Sequence, residues 1–164
     1  MNRYLWASIL FMMLLVATFV RGGNSDVREI RKSFNQFVDD IELKEKEDIL
    51  GASLAARRMS DLFSQDTKIQ ITGLPFEISN RSDLQSAIIR ARTNLDRFAV
   101  HIGDTSIEIS SDRLSAVMSV SAHVTISGIG RFDEEWHAAD VRWIKTCGKW
   151  EISSVYSLET IEHP

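Results

Sequence analysis

From Phe98 onward the chain changes its period and does not change back. Before that point apolar residues recur at helical spacing. After it they alternate with polar ones, as half-buried strands do. Phe98–Ile109, Ser115–Ile126, Glu135–Thr146 and Trp150–Leu158 read as four strands. They are divided by the turns Ser110-Ser111-Asp112-Arg113 and Ser127-Gly128-Ile129-Gly130 and by a tight turn at Gly148. Connections this short make the strands antiparallel neighbours. A sheet with one apolar face needs that face covered, and only the first half of the chain can cover it.

That half supplies amphipathic helices. After Asn24-Ser25-Asp26, which suits a helix start, Val27, Ile30, Phe34, Phe37, Val38 and Ile41 recur on one face. A charged break at 42–48 precedes a second helix that gathers Ile49, Leu50, Leu54, Ala55, Met59, Leu62 and Phe63, ending at Ser64-Gln65-Asp66. Thr67–Thr72 alternates and reads as a strand, followed by a turn at Gly73-Leu74-Pro75. A third helix is expected over Ser82–Thr93, with Leu84, Ile88, Ala91 and Leu95 on one face. The order helix, helix, strand, helix and four strands defines an α+β domain over residues 24–164. A strongly curved sheet wrapped around three helices would enclose a conical hollow.

Residues 4–20 (YLWASILFMMLLVATFV) are uncharged and almost wholly apolar, with Arg3 before them and Arg21 after. As a helix they would rise roughly 25 Å, at the lower limit for a bilayer span. The run is apolar all round, unlike a core helix with a polar stripe. Residues 1–23 are therefore a signal peptide or a transmembrane anchor, expected to place the domain at a membrane or beyond it. The side of the membrane stays open, because basic residues lie on both flanks. Without Arg3 and Arg21 the chain has 17 Lys and Arg against 23 acids, a formal −6. That charge argues against a nucleic-acid partner. A single cysteine, Cys147, rules out an internal disulfide, and its strand-like setting suggests core filler.

The segment Trp143-Ile144-Lys145-Thr146-Cys147-Gly148-Lys149-Trp150-Glu151-Ile152, a strand running into a Gly-Lys-Trp turn and a second strand, resembles the final hairpin of the nuclear transport factor 2-like superfamily. Leu62-Phe63-Ser64 followed by Ile69-Gln70-Ile71 is also similar. The resemblance covers roughly residues 26–160 and includes the SnoaL-like and ketosteroid-isomerase-like proteins. It implies the cone-shaped α+β fold, a pocket in the cone, and frequent homodimers through the outer sheet face. It fixes no activity, since the fold carries many. The isomerase tyrosine has no counterpart, because the only tyrosines are Tyr4 and Tyr156.

Strand alternation sorts the remaining candidates. Met118, Val120, Ala122 and Val124 share a face expected to meet the helices, which turns His123 outward to a surface or a dimer interface. Val141 and Trp143 share a face with Glu135 and His137. That pair is either a polar strand end in water or an acid/base couple at the cone mouth. Met118, Val141, Trp143, Trp150 and Tyr156 are the expected pocket-lining residues. His101, near a kink expected at Gly103, has no visible partner. The four histidines lack ligand spacing, so no metal site is expected, and no cofactor motif is present. Two functions follow from these observations. One is a membrane-anchored or exported binding module, dimeric, with a small apolar ligand. The other is a SnoaL-like enzyme doing acid–base chemistry through His137 and Glu135.

Overall fold

The computed structural model describes residues 25–71, 77–128 and 131–160. The leader of residues 1–23, the turn expected at Gly73-Leu74-Pro75, Ile129-Gly130 and the tail carrying His163 lie outside the described residues. Helix α1 is described over residues 25–41, and α2 covers Ile49–Ser60. Strands β1 (Phe63–Gln70) and β2 (Glu77–Ile78) come next, then α3 (Arg81–Asn94). The chain continues through β3 (Arg97–Ile109), β4 (Ser115–Gly128), β5 (Arg131–Thr146) and β6 (Lys149–Thr160).

The six strands form one sheet in the order β2-β1-β6-β5-β4-β3. The four long strands pair antiparallel in sequence, as their short turns require. β1 returns beside β6 and runs parallel to it, and the two-residue β2 caps that edge. Ile30 and Phe34 of α1 and Leu84 of α3 pack with Phe63, Met118, Val141, Trp143, Trp150 and Ile152 of the sheet. The apolar face is thus covered by helices, in the α+β architecture the period change implies.

Four register shifts interrupt the sheet, one of them between Phe63 and Lys68 where β1 meets β6, and two of the others change which residues face the helices. In β3 the register shifts between Ile102 and Thr105, so Ile102 and then Ile107 both face the core. In β6, Trp143 pairs with Ile152 while its neighbour Arg142 pairs with Ser154. The extra residue reverses the alternation: Val155 turns to the core opposite Val141, and Tyr156 turns outward opposite Asp140. Another shift falls between His137 and Ala139.

Three expectations are corrected. The second helix ends at Ser60, and Phe63 reaches the core as the first residue of β1. The buried face of α2 is Ala52, Ala55, Ala56 and Met59, whereas Ile49, Leu50 and Leu54 are 71%, 68% and 61% exposed. Helix α2 lies against α3, and alanines allow that close approach where leucines would hold the axes apart. Cys147 is exposed. It forms with Gly148 the two-residue turn between β5 and β6, both with positive φ (51° and 82°), so the thiol sits at a hairpin tip.

One buried charge ties the ends of the domain together. Asp26 is 2% exposed. Its carboxylate accepts hydrogen bonds from Arg113 Nε (2.9 Å) and Nη2 (2.6 Å), Lys145 Nζ (2.8 Å) and Trp150 Nε1 (3.3 Å). Burial alone would raise its pKa, but these donors outweigh that effect and hold the carboxyl below its ordinary range. The start of α1 is thereby fixed to the β3–β4 turn and the β5–β6 hairpin.

Candidate functional site

Between the helices and the edge of β3 lies a hollow of about 110 Å³. It forms because the chain leaving α1 pairs with the sheet edge: Leu43 N–H donates to the Phe98 carbonyl (2.8 Å), and Phe98 N–H to the Leu43 carbonyl (2.9 Å). The connector therefore walls one side. Ile41 and Met59 close the ends of α1 and α2, and Ile88, Ala91 and Leu95 line the α3 side.

Arg92 is the one titratable residue on the wall. Its guanidinium is already spent. Nε and Nη2 donate to Glu47 (2.8 and 2.7 Å), Nη1 to the carbonyls of Asp40 and Ile41 (both 3.2 Å), and Nη2 to that of Glu42 (3.4 Å). All five N–H groups thus have acceptors, three of them the carbonyls that end α1. The Arg92 hydrogen bonds hold the Glu47 carboxyl below its ordinary range. What remains for a ligand is an apolar surface with a side chain that stops the helix.

Glu135 and His137 lie on the inner face of β5. Their partners across β4 are Val124 and Ala122, and beyond those on β3 are Val100 and Ile102. His137 Nε2 is 3.2 Å from Glu135 Oε2, with the imidazole about one third exposed and the carboxylate about half. The two candidate acid/base residues are therefore in contact. Neither is among the side chains that enclose the hollow. Among the described residues no group of three or more potential metal ligands comes together.

The other candidates are placed as follows. Met118, Val141, Trp143 and Trp150 are at most 3% exposed and belong to the core; Trp143 also borders a cleft of about 420 Å³ beside Glu108, Arg142 and Ser153. Tyr156 is on the outer face, with the Arg142 guanidinium 5.3 Å from its ring centre. The β6 bulge is the reason: without it, Tyr156 would have followed Trp150 and Ile152 inward. Asp140, on the same face, accepts from Ser119 Oγ (2.8 Å). His123 is on the outer face as expected, against Trp136. Sequence reasoning missed Arg92 and Asp26 as organising residues. A basic residue in the last turn of α3 was the available signal for the first, but its acceptors lie about fifty residues earlier.

The curved sheet over three helices, with a hollow at its edge, defines a cone-shaped α+β domain. The SnoaL-like domain model matches residues 54–156, and the chain belongs to that family. Solved structures agree in fold. A "Putative Scytalone Dehydratase" from Novosphingobium aromaticivorans aligns with TM-score 0.69 at 12% identity, covering 87% of this chain and 89% of that one. A nuclear transport factor 2-like superfamily protein from Salmonella enterica aligns with TM-score 0.67 at 13% identity, over 87% and 96%. An NTF2-like protein with a cystatin-like fold, also from N. aromaticivorans, gives 0.62 at 16% identity, over 87% and 86%. At these identities the likeness is one of fold. No match was found among curated proteins.

Proposed function

We propose that this SnoaL-like domain is a non-catalytic binding module that holds a small apolar molecule in the hollow beside β3. The observation that supports it is the wall itself: apolar side chains, with Arg92 saturated by Glu47 and the carbonyls ending α1. A half-open apolar pocket of about 110 Å³ is on the scale of a ligand such as benzene, which apolar protein cavities are known to accept. In this reading the leader of residues 4–20 delivers the domain to a membrane or across one, and a second copy pairs with the outer sheet face. Among the described residues no helix is long and apolar enough to cross a membrane, so anchoring rests on the leader alone. The test is benzene titration followed by NMR of the Met59 and Ala91 methyl groups. Saturable shifts that disappear when Ala91→Phe fills the hollow are expected. Methyl groups that do not respond would end the proposal.

A second reading has one observation of its own, the 3.2 Å contact between His137 and Glu135 on the inner face. Glu135 would orient the imidazole, leaving Nδ1 to take a proton from carbon next to a carbonyl. Ketones incubated with the protein in deuterium oxide would then exchange their α-hydrogens faster than in buffer, and His137→Gln would remove the excess. Equal exchange with and without protein rules that chemistry out.

A further inference from the structure

We propose that His101 and His123 together bind one divalent late first-row transition-metal ion, Cu2+ most tightly, on the outer face of the sheet. The residues are 22 positions apart in sequence, and the register of β3 on β4 makes them direct partners. Directly opposed residues of an antiparallel pair hold their Cβ atoms about 4.5–5.5 Å apart. Two imidazoles on such a base reach one ion at the usual nitrogen–metal distance of roughly 2.0–2.1 Å.

The surroundings favour the site. The His123 ring lies 5.2 Å from the Trp136 ring, tilted by 41°, so its orientation is limited before an ion arrives. Trp136 reaches that position across Ser121 because Gly103 has no side chain. A Cβ there would stand 3.3 Å from the indole and 2.7 Å from Ser121 Oγ. The β3 bulge begins directly after His101 and Ile102, and bulges re-aim neighbouring side chains. The adjoining outer rows are Ala99–Thr125–Glu134 on one side and Ser121–Ala138 on the other. They carry no cation; Glu134 accepts from Thr125 Oγ1 at 3.5 Å, and the exposed Asp104 of the β3 bulge donates its backbone N–H to Ser121 Oγ at 2.9 Å. Two imidazoles with the remaining positions left to water suit Cu2+ above Ni2+ and Zn2+.

The experiment is titration of the full chain with CuCl2 by calorimetry, paired with electron paramagnetic resonance of the bound ion. One ion per chain with two coordinated nitrogens is expected. His101→Asn and His123→Asn should each weaken binding by about tenfold or more, at least the loss seen when a supporting group of a metal site is removed. His101 is exposed. Its substitution therefore leaves the fold intact and carries the test even if the His123 variant does not fold. Cu2+ binding that survives His101→Asn unchanged, disappears with His137→Asn, or shows a single nitrogen ligand overturns the proposal.

Discussion

Replacing Asp26 by Asn removes one charge and almost no volume, and the structure says what should follow. The carboxylate is 3% exposed and receives four hydrogen bonds, three of them from cations. Breaking a buried ion pair by deleting one partner costs roughly 3–5 kcal/mol. Arg113 and Lys145 are 38% and 23% exposed and can turn to water, so the low end applies, about 3 kcal/mol at neutral pH. The sign of the pH dependence follows from the depressed pKa. The stabilisation is present above the unfolded value of 3.8 and is lost as pH falls through the lower folded value. Urea unfolding of both proteins at a series of pH values measures the gap. It should be widest at neutral pH and narrow below 3.8. A gap under about 1 kcal/mol, the worth of a surface pair, or one that stays constant as pH falls, would refute the account.

Three further outcomes are expected. Arg92→Met should destabilise by about 2–3 kcal/mol in denaturant unfolding, because Glu47 and the carbonyls ending α1 lose their donor; Arg92→Lys should recover only part of it. Leu50→Gln and Leu54→Gln should change stability by less than about 0.5 kcal/mol, whereas Ala56→Leu should cost about 1–3 kcal/mol by overpacking the α2–α3 contact, both read by thermal melts. Cys147 should react with a thiol reagent in the native protein as fast as a free thiol does, since it stands at the tip of the β5–β6 hairpin.

The architecture was legible wherever period alone decides. The four long strands and the face of α1 carrying Ile30 and Phe34 follow from alternation and helical spacing. The face of α2 was not legible, because hydrophobicity ranks Leu50 and Leu54 above Ala52 and Ala56. Which side lies inward depended on how near α3 comes. Tyr156 was misplaced for a different reason: one extra residue near Ser153 inverts everything after it, and no residue type announces a bulge. At the candidate site, alternation placed His137 with Glu135 on the inner face. The hollow lay elsewhere, walled by a connector whose pairing with Phe98 leaves no local mark in the sequence. His101 and His123 showed no ligand spacing because their neighbourhood is created by register.

The bond between Asp26 and Trp150 joins residues 124 positions apart. At roughly 5–20 residues per second of synthesis, the helix carrying Asp26 leaves the ribosome about 6–25 s before the indole that completes its shell. Arg113 and Lys145 follow 87 and 119 residues behind Asp26, so the acid can gain its cations first and the indole last. The newborn domain therefore closes last at the place where its first helix meets its last hairpin, and a chain cut short before Trp150 would carry Asp26 unsealed.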